Sequence, residues 1–475
     1  MPYGTADFKR MPIWTDNGSK AMKINLRSPK KMQTVRGFGT SSCWWSQYCG
    51  GKAANEISEL LYGKDGLGLN IYRYNVGGGF DPDNNRVENI WRRTESLYDF
   101  DKAKETGKYN FGNDRTAREF MRLCLEKGSV DTVILFANSP HWSQTSTGQS
   151  SGSLLPHTCN LPKMNYKKFV NYMLDIAEEF ISEGIPVKYI SPINEPQWQW
   201  GGASVWQEGC HYECEEVLEI FHLFAKEIIK RGTPVLLYGP ESGEMLGETR
   251  RYIKVLSGDE TIKKVMPVFA YHSYHSDNSP ETRAIFKNEI VKAHPEYRFD
   301  MSEWCELPNK SPTDSVKAAL ITARIIGQDF ALAGCESWTS WVAVNQYSVK
   351  EDGKDYSDGL LTATNYFSEY KIAKRYYALA HYSKFIPAGS VCLDNSTVPE
   401  NENGLNAFSF LTPDGKTVTV IVNEGERTEI SLDGDFSKMQ VVLTTDEKQF
   451  ETVCDGEYKS KVDIPKNSLA TIIMK

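Results

Sequence analysis

Eight short runs of β-prone residues alternate with helical segments along most of this chain of 475 residues. The runs span residues 36–45, 69–76, 132–142, 187–193, 234–242, 268–275, 297–304 and 335–342. Regular alternation of strand and helix is typical of parallel βα units, and eight such units close into a (β/α)8 barrel. We therefore predict an α/β fold with a TIM barrel over residues 36–383. This exceeds the usual length of roughly 250 residues, which indicates insertions in the loops after the strands.

A different pattern begins near residue 384. Short alternating runs such as 417–422 and 469–474 are separated by turn sequences, for example Pro413-Asp-Gly. This pattern is typical of a small antiparallel β-sandwich, which we predict over residues 384–475. Residues 1–35 also alternate and have no partner in a closed barrel, so we expect their strands to join the sandwich.

Charge and hydropathy exclude two classes of partner. The net charge is -8 and there is no block of Lys and Arg, so we expect no nucleic acid. No run approaches the roughly 18 apolar residues of a membrane span, so we expect no membrane. The N-terminal Met1-Pro-Tyr-Gly-Thr lacks the basic and apolar regions of a secretory leader. The chain as written is therefore expected to be cytoplasmic, or secreted if a leader was removed. The oligomeric state stays open.

The ten cysteines are scattered without a Cys-x-x-Cys pair. Zinc sites usually show tighter and repeated spacing, so we expect no metal and no other cofactor. Buried free thiols are the default for this pattern. The two closest pairs, Cys43/Cys49 and Cys210/Cys214, leave a disulfide open as an alternative.

Two of the predicted strands end in a carboxylate. The fourth run stops at Asn194-Glu195-Pro196, because proline cannot continue a central strand, and the seventh run ends at Glu303. A barrel gathers the C-terminal ends of its strands at the face where active sites lie. A lone acid at a strand end can be a helix cap or a loop residue. Two acids that meet across one cleft are what glycoside hydrolysis requires.

Other strand ends supply candidates that could support these acids. Arg73 could hold an anionic Glu303 by a charge-assisted hydrogen bond, or it could pair with another buried acid. Asn194 could bond the 2-hydroxyl of a sugar, a contact that strengthens in the transition state. His272 and Tyr274 of the sixth run are further supporting candidates, with filling of the barrel interior as the alternative.

Aromatic residues follow several of the strand ends, and apolar sugar faces stack on indole rings. We predict that four tryptophans bind substrate, with core or loop packing as the alternative for each: Trp45, Trp142, Trp198 and Trp341. Glu241, just past the fifth run, competes as a catalytic acid. Its run is weaker and no aromatic residue follows it, so we rank it below Glu195 and Glu303.

At these residues the sequence resembles the retaining clan of (β/α)8 glycoside hydrolases, and more narrowly family 30. The resemblance rests on Gly37-Phe-Gly in the first run, Arg73 in the second, Ser139-Pro-His-Trp142 in the third, Asn194-Glu-Pro in the fourth and Ser302-Glu303 in the seventh. It covers nearly the whole chain, including the expected sandwich. It implies that Glu195 is the acid/base and that Glu303 is the nucleophile.

Within that family the sequence is most similar to the endo-β-1,6-galactanase subgroup. The matching segments are Gly37-Phe-Gly-Thr-Ser with Trp44-Trp45, and Tyr72 to Gly79. This resemblance implies a substrate of β-1,6-linked galactan or galacto-oligosaccharides. Other members of the family act on xylan, β-1,6-glucan, β-fucosides or β-glucosides, and these remain alternatives. Two rivals from other classes are a carbohydrate-binding barrel without catalysis and a metal-dependent barrel hydrolase.

Overall fold

The structure is a computed structural model. It describes residues 22–83, 85–202, 205–307, 310–394 and 404–475. The expectation that residues 1–35 join the sandwich therefore concerns the described residues only from Met22 onward, and residues 1–21 lie outside them.

Eight parallel strands close into a barrel, as predicted. In chain order they are Gly37–Ser41, Ile71–Asn75, Thr132–Phe136, Val187–Ser191, Leu236–Ser242, Val268–His272, Arg298–Trp304 and Ser337–Ser340. The ring closes where the eighth strand pairs in parallel with the first, from Ser337 beside Gly37 to Ser340 beside Thr40. We number these barrel strands one to eight.

Eight α-helices lie along the described barrel sequence. They are Gly51–Tyr62, Arg115–Glu126, Tyr166–Ser182, Cys214–Arg231, Glu248–Leu256, Pro280–Phe286, Val316–Gln328 and Lys374–Ser383. The fourth helix shows why such segments fold locally. Glu213 and Glu216 form a capping box at its start, and Gly232 ends it in the left-handed conformation with φ 69°.

The N-terminal end of the barrel is filled with side chains. Ile71, Ile134, Tyr189, Tyr238 and Val268 belong to one buried cluster of barrel-strand residues. Arg36 and Asp300 form a partly buried ion pair beside this cluster, at 3.0 Å, and Arg36 also donates to the Tyr189 hydroxyl at 2.8 Å. This part of the interior is therefore a packed core, and in TIM barrels the active site lies at the opposite, C-terminal end.

The second domain is a β-sandwich, again as predicted. Its larger sheet has seven strands in the order Lys31–Thr34, Val391–Leu393, Leu405–Leu411, Thr417–Asn423, Ser468–Met474, Lys438–Thr444 and Glu451–Glu457. Its smaller sheet has the strands Met22–Asn25, Thr428–Asp433 and Lys461–Ile464. Both described N-terminal strands thus lie in the sandwich. One pairs in parallel with Thr428–Asp433, and the other pairs antiparallel with Val391–Leu393.

Three shorter pairings lie in the loops. Tyr98–Asp101 and Thr106–Tyr109 form a hairpin after the second barrel strand. Val344–Gln346, Leu361–Ala363 and Tyr370–Ile372 form a small sheet between the eighth strand and the last helix.

All ten cysteines lie within the described residues and are free, so neither Cys43/Cys49 nor Cys210/Cys214 is bridged. Among the described helices none combines the length and apolar character needed to cross a bilayer.

The barrel and the sandwich share one hydrophobic core. Phe410 of the sandwich packs edge-on against Phe330, with ring centroids 5.8 Å apart. His381 of the last helix contacts Thr471 Oγ1 through Nδ1 at 2.7 Å and Thr444 Oγ1 through Nε2 at 2.9 Å. Burial lowers the pKa of His381 to about 3, so this histidine bridges the barrel and the sandwich as a neutral group.

Gly327 provides a test of this interface. A Cβ at residue 327 would overlap the ring of Phe408 in the sandwich. Gly→Ala in a helix normally stabilises by roughly 0.5–1 kcal/mol, but overpacking a core costs roughly 1–3 kcal/mol. We expect Gly327→Ala to lower the midpoint of thermal unfolding, and Phe408→Leu in the same chain to recover part of the loss. A raised midpoint in Gly327→Ala would show that the interface is loosely packed.

Candidate active site

Glu195 and Glu303 meet at the C-terminal mouth of the barrel. Glu195 lies just past strand four, and Glu303 is the penultimate residue of strand seven. Both are buried, at 8% and 4% exposure, and a carboxylate oxygen of each lies within 4.8 Å of the other. Glu195 adopts the left-handed region with φ 46°, which is uncommon outside glycine and occurs at functional sites.

Arg73 is the group that joins the strand ends. Its Nη1 donates to Glu303 Oε2 at 2.8 Å. Its Nη2 donates to Glu241 Oε2 at 2.8 Å and to Asn194 Oδ1 at 3.1 Å. Burial lowers the pKa of Arg73, but the carboxylates of Glu241 and Glu303 more than offset this effect, and the net pKa is raised. One guanidinium on strand two therefore fixes groups from strands four, five and seven.

His272, at the end of strand six, lies among three carboxyl groups. Its Nδ1 is 3.0 Å from Glu195 Oε1 and 3.7 Å from Glu303 Oε1, and its Nε2 is 3.4 Å from Glu241 Oε2. Burial lowers the pKa of His272, but the surrounding carboxylates outweigh burial and raise it to about 10. Two positive charges, on Arg73 and His272, thus face three carboxyl groups.

The pKa of Glu303 reflects opposing influences. Burial raises it, as do the negative charges of Glu195 and Glu241, whereas His272 and Arg73 lower it; the outcome is a pKa of about 7. Tyr274 adds a hydroxyl that donates to Glu303 Oε1 at 3.2 Å. The predicted candidates Arg73, His272 and Tyr274 therefore all contact one of the two acids.

Glu241 is more central than the sequence indicated. Strand five is seven residues long and ends in Glu241-Ser242, so the carboxylate of residue 241 points into the same cluster. Glu241 is fully buried, and although burial raises its pKa, Arg73 and His272 lower it to about 2. A permanently ionised and sealed carboxylate is unsuited to donate a proton to a substrate. Its place in the cluster is that of a partner for Arg73 and His272.

Two of the four predicted tryptophans, Trp198 and Trp341, border the cluster of Glu195 and Arg73, and Trp142 lies against the hairpin after strand two. Trp341 lies over Arg73, with the guanidinium carbon 5.7 Å from the ring centroid. Trp198 is half-buried and shares a boundary with Glu195, because a Cβ on Gly243 would overlap both side chains. Trp142 packs edge-on against Phe100, at 5.5 Å between ring centroids.

The prediction that Trp45 contacts substrate is wrong. Trp45 is 1% exposed, packs on Phe120 at 4.7 Å, and donates its indole N–H to the Ser41 carbonyl. The chain enters a 3-10 turn directly after strand one, and this turn directs residue 45 into the core between barrel and helix. Its neighbour Trp44 instead packs edge-on against Trp341, at 5.3 Å.

Glu208 is a further buried acid that sequence reasoning did not identify. It lies on the long loop after strand four, and it accepts hydrogen bonds from the Gly78 N–H at 2.7 Å and from the Thr94 hydroxyl. Burial raises its pKa to about 7. Glu208 therefore fastens the loop that carries Trp198 and Trp200 to the loop that follows strand two.

Glu195, His272 and Glu303 are also of the residue types that bind metal ions, and their ligand atoms lie within 4.8 Å of one another. Arg73 and His272 already supply positive charge at these carboxylates. The donor set therefore fits acid–base chemistry between carboxyl groups better than it fits a divalent cation.

Two family models match the chain, one for each domain. The model described as O-Glycosyl hydrolase family 30 matches residues 21–246, and the model of the glycosyl hydrolase family 30 beta sandwich domain matches residues 389–472. The two matches together cover most of the chain.

Curated relatives are similar at low identity. Endo-beta-1,6-galactanase of Hypocrea rufa is 25% identical over 219 residues, covering 42% of this chain and 45% of that protein. Putative glucosylceramidase 2 of Caenorhabditis elegans is 22% identical over 441 residues, covering 87% and 78%. Exo-beta-1,6-galactobiohydrolase of Bifidobacterium longum subsp. longum is 26% identical over 230 residues, covering 37% and 15%. The chain thus spans less than half the length of the first and third relatives.

Solved structures share the whole architecture. A conserved exported protein from Bacteroides fragilis superposes with a TM-score of 0.79 at 25% identity, over 96% of this chain and all of that one. The catalytic domain of GH30 xylanase C from Talaromyces cellulolyticus gives a TM-score of 0.69 at 16% identity, over 95% of this chain and all of that one, and it supports the fold alone. With both domains matched in sequence and the fold shared along the chain, this protein belongs to glycoside hydrolase family 30.

Proposed function

We propose that this protein is a retaining β-glycosidase that cleaves β-1,6-linked galactan or galacto-oligosaccharides. The observation that carries the reaction type is the approach of Glu195 and Glu303, whose nearest carboxylate oxygens lie within 4.8 Å. Retaining enzymes hold their two carboxyl groups about 5–5.5 Å apart, whereas inverting enzymes need about 6.5–9.5 Å to admit a water molecule. The observed spacing supports retention.

In the first step Glu303 is the nucleophile. An oxygen of its carboxylate attacks the anomeric carbon, and the bond from that carbon to the glycosidic oxygen breaks. Glu195 transfers its proton to the departing oxygen, so the leaving sugar departs as a neutral alcohol. Arg73 and Tyr274 hold the Glu303 carboxylate in place through hydrogen bonds of 2.8 and 3.2 Å.

In the second step Glu195 is a base. It takes a proton from a water molecule, whose oxygen attacks the anomeric carbon, and the ester bond to Glu303 breaks. Both acids then return to their starting charges. Asn194 assists in both steps: because its Oδ1 accepts from Arg73, the amide has its NH2 group left to donate to a sugar hydroxyl.

The choice of sugar rests on similarity and on the aromatic walls of the mouth. Two of the relatives, an endo-beta-1,6-galactanase and an exo-beta-1,6-galactobiohydrolase, match 42% and 37% of this chain at 25% and 26% identity. Trp198 borders Glu195 and Trp341 lies over Arg73, and these are the indole rings on which galactose is proposed to stack. Xylan, β-1,6-glucan and β-glucosides are the alternatives within the family.

The two glutamates should fail differently when replaced by alanine. Glu303→Ala removes the nucleophile, so turnover should fall by about 10⁴-fold or more with every substrate. Glu195→Ala removes the proton donor, so an activated aryl β-glycoside should still form the glycosyl-enzyme and then stall. Azide needs no base, so it should restore turnover in Glu195→Ala and give the β-glycosyl azide.

Azide rescue of Glu303→Ala serves as the matched control, because a single displacement should give the α-product there. The anomer can be read by NMR of the product. If azide gives the same anomer in both variants, the two roles are assigned wrongly.

Substrate specificity can be tested on a panel of β-linked glycans. We expect short galacto-oligosaccharides or galactose to appear from β-1,6-galactan, most readily after removal of arabinose side chains, as measured by chromatography of the products. Equal or faster release from xylan or β-1,6-glucan would overturn the galactan assignment but leave the family intact. An absence of turnover on every aryl β-glycoside would instead favour a binding protein without catalysis.

The raised pKa of Glu303 predicts an acid limb. The nucleophile must be ionised, and a pKa of about 7 means that it gains protons as the pH falls below neutrality. We therefore expect kcat/KM for an aryl β-glycoside to begin falling near pH 7 and to fall tenfold per pH unit well below it, because protonated Glu303 cannot attack. The apparent pKa of this fall belongs to the pair of carboxyl groups, since they titrate together. A fall in activity centred near pH 4.5, the ordinary pKa of a glutamate, would show that the positive charges of His272 and Arg73 fully offset burial.

A further inference from the structure

Both ring nitrogens of His272 face carboxylate oxygens. Nδ1 faces Glu195 at 3.0 Å and Glu303 at 3.7 Å, and Nε2 faces Glu241 at 3.4 Å. His272 is fully buried, so water does not compete for these contacts. An imidazole that donates from both nitrogens to ionised carboxylates carries a positive charge.

Glu241 anchors the far side of this ring. Its Oε2 faces His272 Nε2 and also accepts from Arg73 at 2.8 Å, and its side chain is fully buried. Its backbone carbonyl accepts the Glu195 N–H at 2.9 Å. Glu241 therefore contacts Arg73, His272 and the backbone of Glu195, yet its own side chain is closed to solvent.

The proposed reaction moves negative charge between the two acids. Before the glycosyl-enzyme forms, Glu303 is ionised and Glu195 is protonated. Afterwards Glu303 is a neutral ester and Glu195 is ionised. The charge thus moves across less than 5 Å, between two oxygens that the same Nδ1 of His272 faces.

We propose that Glu241 is a positioning residue that holds His272 as an imidazolium between the two glutamates. The Nδ1–H group then supports Glu303 before the glycosyl-enzyme forms and Glu195 while it persists. A neutral ring that keeps its proton on Nδ1 would turn the lone pair of Nε2 toward the ionised Glu241, whereas an imidazolium donates to carboxylates from both nitrogens. The roles of the two acids rest on the proposed function, whereas the charge of His272 can be tested without any substrate.

Among the described residues, the charged groups that face the ring are three carboxyl groups, which favour a cation. Glu195 approaches it from strand four, Glu241 from strand five and Glu303 from strand seven, while Tyr274 on its own segment packs edge-on with ring centroids 5.7 Å apart. The positive charge nearest to the cluster is Arg73, and Glu241 lies between Arg73 and the histidine ring through its shared Oε2.

The first test is NMR of the protein labelled with ¹⁵N-histidine, with His272→Asn used to identify the signal among the eight histidines. We expect both ring nitrogens of His272 to be protonated at pH 8 in the wild type. In Glu241→Gln, which keeps the shape but removes the charge, we expect one nitrogen to lose its proton at that pH. A neutral His272 at pH 8 in the wild type overturns the proposal, even if Glu241→Gln fails to fold.

The second test is the pH profile of kcat/KM for an aryl β-glycoside. In the wild type, activity should fall at high pH where His272 loses its charge, and Glu241→Gln should move this fall to lower pH by at least one unit. The activity that Glu241→Gln loses relative to the wild type should therefore be at least tenfold greater at pH 8 than at pH 6. Glu306→Gln is the matched control, since Glu306 is also a buried glutamate paired with a buried arginine, Arg375. It should lower thermal stability without moving either limb.

A uniform loss of activity at all pH values in Glu241→Gln would give Glu241 a structural role only, and it would overturn the inference while leaving the glycosidase reaction in place. A His272 that is protonated on both ring nitrogens at pH 8, together with no hydrolysis of any glycoside, would instead separate the two: the imidazolium would stand, and the proposed function would fall.

Discussion

The ion pairs of Arg73 are the interaction on which the rest of the site depends. A buried guanidinium is costly unless carboxylates surround it and satisfy its donors, and removal of one partner leaves an uncompensated charge. Arg73 meets this condition with Glu241 and Glu303 at 2.8 Å each and with Asn194 at 3.1 Å. Those partners come from strands five, seven and four, so the barrel must close with these strand ends in register. The same contacts that make the charge tolerable also place the two candidate catalytic acids.

Much of this arrangement could be predicted from the sequence, because it follows from local patterns. β-prone runs that end in Asn194-Glu195-Pro196 and in Glu303 indicate strand ends, and a barrel gathers strand ends at one face. The prediction of Arg73 as the partner of Glu303 followed from the same reasoning. Glu241 was ranked low because its run is weaker and no aromatic residue follows it, and the sequence does not show that its side chain is buried against Arg73 and His272.

Other differences have equally local causes. The residue pattern over 366–379 is typical of a helix that closes the barrel, but residues 370–372 form a strand and the helix spans Lys374–Ser383. Antiparallel pairing with the nearby strand Leu361–Ala363 outweighs helical propensity there. Trp45 was predicted to bind substrate, but the 3-10 turn that begins at this residue directs its side chain into the core. Two adjacent tryptophans in a sequence do not reveal which of them such a turn will bury.

The central claim is that Glu303 forms a covalent bond to the sugar while Glu195 handles the proton. The most direct measurement is trapping with a 2-deoxy-2-fluoro-β-galactosyl fluoride, which slows the second step more than the first, followed by mass spectrometry of the peptides. The account predicts one sugar per chain, attached to Glu303 within the strand Arg298–Trp304. Attachment to Glu195 or Glu241, or hydrolysis that yields the α-anomer without any trapped adduct, would contradict it.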